Sequence, residues 1–193
     1  MELTLDLTKK WMENFNQKID ANKAYLSDLD TPIGDGDHGN NMARGMAAVL
    51  EAFDSKQPAD LTSALKLVAM SLISKVGGAA GPLYGTAFLE MAKLSASNQD
   101  LAALVTAALE GIKKRGGANE GDKTMVDVWS VVSQALTAGD LTADKVEEAV
   151  QATKDMEAKK GRASYLGERS VGHLDPGSVS SGYLFQALLE VGE

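Results

Sequence analysis

The chain has 193 residues, 44% of them hydrophobic, and contains no cysteine. This length predicts one domain over residues 1–193, large enough to bury a core without disulfide bonds. The formal net charge of −8 argues against nucleic acid and anionic membranes as partners, because phosphate-rich surfaces select clustered lysine and arginine.

Apolar residues recur at helical spacing along most of the chain, and strand signals are almost absent. The first two stripes are Trp11, Phe15 and Ile19, and then Met42, Met46 and Leu50. Six further helical segments are predicted near residues 61–76, 82–96, 100–114, 123–137, 143–160 and 179–191. Because the connections are mostly short, the eight helices should run antiparallel to their neighbours.

Capping residues predict where several of these helices begin and end. The predicted starts are Asp100, Asp122, Thr142 and Ser178, and the predicted ends are Gly77, Gly116, Gly139 and Gly161.

The N-terminal segment is acidic rather than basic and apolar, and the longest apolar run, near residues 67–72, is too short to span a bilayer. We therefore expect a cytoplasmic protein.

Three carboxylates stand within eight residues between the first two helices. Asp30, Asp35 and Asp37 are separated by a proline and glycines, which favour an irregular loop that can direct oxygens inward. Carboxylates held together repel one another unless a cation lies between them, and oxygen ligands suit Mg²⁺ or Ca²⁺. An EF-hand is excluded, because its twelfth position would be Met46 or Asn41 rather than glutamate. A Mg²⁺-phosphate or Mg²⁺-nucleotide ligand is the favoured interpretation, and a solvated acidic loop is the alternative.

Two glycine patterns come close to known phosphate-binding motifs but lack their context. Residues 34–39 match the dinucleotide-binding spacing, and residues 116–124 differ from a P-loop by one inserted residue. No strand precedes either pattern, so neither a Rossmann fold nor a P-loop fold is supported.

Two other segments are candidates for ligand contacts. The glycine-rich joint of residues 76–82 lets a phosphate approach backbone N–H groups beside a helix predicted to begin at Pro82, although close helix packing explains the small residues equally well. Residues 161–177 form a long irregular stretch with two arginines and a histidine, and such loops in compact domains are usually functional or disordered.

Four motifs, in this order, resemble the nucleotide-binding L subunit of dihydroxyacetone kinases of the phosphotransferase-system-dependent type, over about residues 30–182. They are Gly34–Gly39 with Asn41 and Met42, Gly77–Gly85, Gly121–Asp127, and Gly161–Ser170 continued by Asp175–Gly177. The resemblance implies an all-α fold, an antiparallel eight-helix barrel, with nucleotide and two Mg²⁺ ions bound by loops at one end. This agrees with the eight helices counted above.

The resemblance also implies the site residues. Asp30, Asp35 and Asp37 would be the Mg²⁺ ligands. Tightly bound ADP or ATP would be contacted by His38, Gly39, Asn40, Asn41, Gly78, Ala79, Ala80, Gly116, Met125, Arg162, Asp175, Pro176 and Gly177. Within this set, residues 38–41 and 78–80 would contact phosphates, Gly116 and Met125 would flank the adenosine, and the remainder would close the site. Relatives often carry serine where Ala80 stands, so that contact rests on backbone alone here.

Two side chains of the long loop have structural alternatives. Arg162 could form a structural salt bridge instead, and for His173 a structural hydrogen bond is favoured over catalysis.

No catalytic nucleophile is implied, because phosphoryl transfer mainly needs positioning and charge neutralisation. By the resemblance, bound ADP would accept a phosphoryl group from a phosphohistidine on a partner, the M subunit, and pass it to dihydroxyacetone held by the K subunit. The alternatives are a subunit of an ATP-dependent triose or tetrose kinase with exchangeable nucleotide, and a Mg-ADP-loaded regulator that binds a transcription factor.

Overall fold

The computed structural model describes residues 1–192, and Glu193, the last residue of the expected domain, lies outside the described part. Eight α-helices make up the fold: α1 (Leu5–Asp30), α2 (His38–Lys56), α3 (Leu61–Lys75), α4 (Ala80–Ser95), α5 (Leu101–Gly116), α6 (Met125–Ala138), α7 (Ala143–Ala152) and α8 (Pro176–Gly192). Two 3₁₀ segments, Thr153–Asp155 and Arg162–Ser170, lie between α7 and α8. Within residues 1–192 the only β pairing is an isolated bridge between Glu2 and Asp100.

The helices form a closed ring, which confirms the predicted all-α, eight-helix barrel. Each helix packs against the next in chain order, and α8 packs against α1. In an antiparallel ring, alternate connections lie at the same end. The connections α1–α2, α3–α4, α5–α6 and α7–α8 therefore meet at one end of the barrel.

Large aromatic side chains fill the interior of the ring. Trp11, Phe88, Trp129 and Phe185 are fully buried. The rings of Trp11 and Phe88 lie 5.7 Å apart, and those of Trp129 and Phe185 lie 4.8 Å apart edge to face. Both tryptophans therefore belong to the core, where such pairs stabilise beyond their buried area.

The predicted helix starts are partly right. Asp100 and Thr142 cap α5 and α7, accepting hydrogen bonds from backbone N–H groups in the first turn. Asp122 is wrong as the start of α6, because Thr124 is its cap and forms a capping box with Asp127. Ser178 is also wrong as a start, because α8 begins at Pro176, a residue suited to the first helical position.

The predicted helix ends show one large error. Gly139 ends α6 as predicted and α5 ends at Gly116, but α3 ends at Lys75 rather than Gly77, and α4 starts before Pro82. The helix predicted over residues 143–160 ends at Ala152, so Gly161 terminates no α-helix. Just after this end, the buried Lys123 ammonium donates to the carbonyls of Thr153 and Met156, which therefore have a partner outside a helix.

None of the helices formed by residues 1–192 combines the length and apolar character needed to cross a bilayer.

Candidate functional site

A cavity of about 500 Å³ opens among the four connections that meet at one end of the barrel. It is lined by residues of the α1–α2 loop, the α3–α4 joint, the α5–α6 loop and the α7–α8 segment, together with the first turns of α2, α4, α6 and α8. All residues predicted as metal or nucleotide contacts lie in this lining except Gly39 and Asn40.

Gly39 and Asn40 turn away from the cavity because α2 begins at His38. Successive helical residues rotate by about 100°, so His38 and Asn41 share the cavity side while the two residues between them do not. A Cβ at Gly39 would lie 1.8 Å from the carbonyl oxygen of Lys23 on α1. Gly39 is therefore required for the close approach of α1 and α2, and Asn40 is exposed to solvent.

The three predicted metal ligands form a compact carboxylate cluster. One oxygen each from Asp30, Asp35 and Asp37 lies within 4.8 Å of the others. Asp30 is the last residue of α1, and its Oδ2 accepts a hydrogen bond from the backbone N–H of Asp37 at 3.0 Å. This bond folds the loop back on α1. Three hard oxygen ligands at this spacing suit a divalent cation.

The glycine-rich α3–α4 joint combines an open position with tightly packed ones. A Cβ at Gly78 would meet no atom within 4 Å, and Gly78 has a φ of +65°, where L residues are strained. By contrast, a Cβ at Gly81 would lie 2.2 Å from the Val76 carbonyl oxygen. The two explanations of this joint therefore apply to different glycines: Gly78 leaves room beside the cavity, and Gly81 permits close packing.

The N-terminus of α4 has backbone donors that no capping side chain occupies. Its N-cap is Ala79, which has no side-chain hydrogen-bonding group, and Gly78, Ala79 and Ala80 all line the cavity. The N-cap of α2, Asp37, likewise makes no side-chain capping bond. Free N–H groups and the positive end of a helix dipole bind anions such as phosphate. The cavity therefore offers an anion position beside a cation position.

Asn41 is held in place by a residue that the sequence did not suggest. The Arg44 guanidinium donates to Asn41 Oδ1 at 2.7 Å and to the Lys75 carbonyl at 2.8 Å. This arrangement orients the Asn41 amide and ties α2 to the end of α3. The sequence indicates this contact only through the i, i+3 spacing of Asn41 and Arg44, which places both side chains on one face of α2.

Arg162 reaches the carboxylate cluster from the α7–α8 segment. Its Nη2 lies 3.3 Å from Asp35 Oδ2, with both side chains largely exposed. The structural alternative for Arg162, a salt bridge, is thus present in the structure, and it places a positive charge at the mouth of the cavity. Arg115 and Lys160, which the sequence did not suggest, also line the cavity.

Another part of the lining is apolar. It comprises Ile33, Leu83, Ile112, Ala118, Met125 and Val126. Gly116 lies in the same lining, beside the end of α5. A pocket that is apolar on one side and carries a few polar groups on the other suits a ligand with a flat ring and a charged tail.

Lys123 fastens the α7–α8 segment to the α5–α6 loop. Its side chain is buried, and its Nζ donates to the carbonyls of Thr153 at 2.8 Å, Met156 at 3.0 Å and His173. Burial lowers the pKa of Lys123, whereas the carboxylates of Asp175 and Asp155 oppose that shift. The contact with His173 involves its backbone carbonyl and not its ring, so the structural hydrogen bond predicted for this side chain stays a prediction.

Asp175 caps α8 from inside the cavity. Its Oδ2 accepts hydrogen bonds from the Ser178 backbone N–H at 2.7 Å and from the Ser178 hydroxyl at 2.8 Å. Burial raises the pKa of Asp175 to about 6, and the Asp127 carboxylate adds to this shift, whereas the bonds from Ser178 oppose it. Pro176 and Gly177 follow and complete the predicted turn at the start of α8.

The His38 ring meets α8 through Ser180, whose Oγ lies 2.9 Å from Nε2. Burial lowers the pKa of His38, and the carboxylates of Asp30 and Asp37 oppose the shift. Tyr84 lies directly behind, with its hydroxyl 2.7 Å from the same serine oxygen.

The chain is similar to known proteins over most of its length. The family model of the DAK2 domain matches residues 32–190. The chain is 55% identical to the ADP-binding subunit DhaL of PEP-dependent dihydroxyacetone kinase 1 from Listeria innocua, covering 96% of both chains. It is 54% identical to the ADP-binding subunit DhaL of a PTS-dependent dihydroxyacetone kinase from Lactococcus lactis, covering 98% of both.

A solved structure shows the same fold. The native form of the dihydroxyacetone kinase of C. freundii superposes with a TM-score of 0.79 at 24% identity, covering 98% of this chain and 35% of that one. The chain therefore belongs to the DAK2 domain family, and within it to the DhaL subunits of dihydroxyacetone kinases.

Proposed function

We propose that the chain is the ADP- and Mg²⁺-binding subunit of a phosphoenolpyruvate-dependent dihydroxyacetone kinase. The observation that carries the proposal is one cavity lined both by the Asp30, Asp35 and Asp37 cluster and by the uncapped N-terminus of α4. Relatives covering nearly the whole chain are named as ADP-binding subunits of such kinases.

The carboxylate cluster would hold two Mg²⁺ ions. When bound, Mg²⁺ neutralises phosphate charge and orients the phosphoryl group for in-line transfer. The backbone of Gly78, Ala79 and Ala80 would donate to phosphate oxygens, and His38 and Asn41 would approach the same oxygens from α2. Gly39 and Asn40 remain candidates only through backbone N–H groups in the first turn of α2.

The apolar side of the cavity would hold the adenosine. Met125 presents a polarizable thioether and Gly116 leaves space for a flat ring. Asp175, Pro176 and Gly177 would close the cavity at the start of α8, and Arg162 would close it from the α7–α8 segment. No side chain of this chain needs to bond covalently to the phosphoryl group.

The phosphoryl group would pass from a phosphohistidine on the M subunit, by way of the nucleotide held here, to dihydroxyacetone held by the K subunit. The basic residues Arg115, Lys160 and Arg162 at the cavity lining offset the acidic surface of a chain of net charge −8. The proposal includes the cytoplasmic location expected from the sequence. It does not include a transcriptional regulator, because no observation on the described residues favours one.

The nucleotide content of the purified chain tests this proposal. We would purify it without added nucleotide, dialyse it extensively, denature it, and measure released adenine nucleotide and Mg²⁺. Close to one ADP and two Mg²⁺ per chain would support a resident nucleotide recharged by a partner. An empty chain that takes up ATP reversibly would favour the ATP-dependent alternative, and a chain that binds no nucleotide would contradict the site.

A pair of matched variants separates metal binding from overall charge. Asp37→Asn removes one carboxylate of the cluster, whereas Asp28→Asn removes an exposed one near the end of α1. We expect the first to lose bound Mg²⁺ and nucleotide with an unchanged helical circular dichroism spectrum, and the second to retain both. Equal nucleotide content in the two variants would count against the metal role of the cluster.

A further inference from the structure

A chain of hydrogen bonds runs from the core of the barrel to the cavity. Trp129 Nε1 lies 3.0 Å from Ser181 Oγ, and this oxygen lies 2.9 Å from the Tyr84 hydroxyl. The Tyr84 hydroxyl lies 2.7 Å from Ser180 Oγ, which lies 2.9 Å from His38 Nε2. The five residues stand on α2, α4, α6 and α8, the helices whose first turns line the cavity.

The direction of these bonds follows from the number of hydrogens each group carries. An indole N–H can only donate, so Ser181 accepts from Trp129, and each hydroxyl has one hydrogen to give. Ser181 could also accept from Tyr84, but its own hydrogen would then have no acceptor among these five residues. In the arrangement that gives every hydrogen an acceptor, Ser181 donates to Tyr84, Tyr84 donates to Ser180, and Ser180 donates to His38 Nε2. The hydrogen bonds of this arrangement all point toward the cavity.

The Gly177 carbonyl competes with His38 Nε2 for the hydrogen of the Ser180 hydroxyl. The Gly177 carbonyl lies 3.1 Å from Ser180 Oγ, slightly farther than His38 Nε2. If Ser180 donated there, Nε2 of His38 would have to carry its own hydrogen to bond the serine. The two arrangements therefore differ in the tautomer of His38, which can be measured.

We propose that these hydrogen bonds hold the neutral His38 ring with its hydrogen on Nδ1. Tyr84 is the positioning residue, because its hydroxyl links Ser181 to Ser180, the serine that bonds the ring. A neutral imidazole has one N–H and one bare nitrogen, so a ring that accepts at Nε2 must donate at Nδ1. Since Ser180 occupies Nε2, Nδ1 is the nitrogen left to donate to an anion in the cavity. That this anion is a phosphate oxygen rests on the proposed function.

Burial makes the arrangement stable. Tyr84, Ser180, Ser181 and Trp129 are all buried within the barrel. Water does not replace a missing partner readily there, so removing one hydroxyl forces the neighbouring groups to choose new partners. Removing the Tyr84 hydroxyl takes away the donor to Ser180, and the Gly177 carbonyl becomes the favoured acceptor of the Ser180 hydrogen.

The tautomer can be read by ¹⁵N NMR on the full chain labelled at histidine, at a pH where the rings are neutral. The chain has two histidines, so His173→Gln assigns the His38 signals. We expect a protonated Nδ1 and a bare Nε2 in the parent chain, and a shift toward protonated Nε2 in Tyr84→Phe. Tyr183→Phe, at a half-buried position on α8 outside these hydrogen bonds, is the control and should leave the signals unchanged.

Two results would overturn the proposal: a protonated Nε2 in the parent chain, or an unchanged Nδ1–H signal in Tyr84→Phe. If Tyr84→Phe does not fold, Ser180→Ala removes the final donor with little change in volume and must shift the tautomer instead. Titration with Mg-ADP adds a second readout, in which we expect about tenfold weaker binding for Tyr84→Phe than for Tyr183→Phe. The NMR readout needs no nucleotide, so a parent chain with the expected tautomer but no affinity for Mg-ADP would contradict only the proposed function.

Discussion

Arg162 Nη2 lies 3.3 Å from Asp35 Oδ2, and this ion pair joins the α7–α8 segment to the carboxylate cluster across the mouth of the cavity. Both side chains are largely exposed, so the pair contributes at most about 1 kcal/mol to folding. The role of Arg162 should therefore be seen in binding rather than in stability.

Replacing Arg162 by alanine tests this distinction. We expect Arg162→Ala to change the thermal midpoint of the ligand-free chain little and to weaken Mg-ADP binding measured by calorimetry. Arg169→Ala, an exposed arginine of the same 3₁₀ segment, is the control and should bind normally. Equal affinities of the two variants would argue against contact between Arg162 and the ligand.

Replacing Lys123 by methionine should destabilise the chain. The substitution keeps an apolar stem of similar length but leaves the carbonyls of Thr153, Met156 and His173 without their shared donor. We expect a loss of about 3 kcal/mol in urea unfolding, because several buried acceptors lose a charged partner at once. Hydrogen exchange should also accelerate over residues 153–175.

The matched control for that substitution is Lys114→Met, at an exposed position near the end of α5. It should leave the unfolding free energy within about 0.5 kcal/mol of the parent. Similar losses in the two variants would mean that the buried ammonium contributes no more than a surface charge.

The free energy of unfolding should depend on pH through the ionisation of Asp175. Its pKa is raised to about 6 in the folded chain from a usual value of 3.8, so the folded state binds the proton more tightly than the unfolded state. The resulting stabilisation is fully present below about pH 4 and is lost as the pH rises through about 6.

Comparison with Asp175→Asn isolates this effect. The unfolding free energy of the parent minus that of the variant should fall by on the order of 2–3 kcal/mol between about pH 4 and pH 6. Asp28→Asn controls for the loss of one charge. A difference between the parent and Asp175→Asn that stays flat or rises over this range would contradict the raised pKa.

Two glycines of the site loops should respond differently to alanine. Gly39→Ala places a Cβ against the Lys23 carbonyl, so we expect a loss of about 1–3 kcal/mol in folding stability from overpacking. Gly78→Ala meets no atom but has a positive φ, so its cost in folding should be near 1 kcal/mol. Its main effect should be weaker nucleotide binding, measured on the folded chain. A Gly78→Ala variant that binds normally would exclude close approach of the ligand to this backbone.

Much of the site could be predicted because it is built from loops with local signals. Asp30, Asp35 and Asp37 lie within eight residues, and the glycine-rich joint before α4 stands out by composition alone. An antiparallel ring of eight helices brings alternate connections to one end, so the predicted fold itself implies that these loops meet.

The residues that sequence reasoning missed act over long separations. Lys123 bonds carbonyls 30 to 50 positions later, and Tyr84 bonds serines 96 and 97 positions away. No local pattern marks such partners. The error over residues 143–160 also involves a distant partner, because beyond the end of α7 the carbonyls of Thr153 and Met156 bond Lys123 and continue no helix. Gly39 and Asn40 lie outside the cavity lining because the start of α2 sets which residues face the cavity.

Six of the eight helices begin with a side chain that occupies a first-turn N–H group, whereas the cap residues of α2 and α4 do not. An anion bound at the N-termini of α2 and α4 would accept hydrogen bonds from first-turn N–H groups that no capping side chain satisfies. A ligand in that position adds its binding free energy to the stability of the native state alone. Occupancy and melting temperature should therefore rise and fall together from one preparation to the next, so that a melting curve becomes an assay for how much of the protein is charged with ligand.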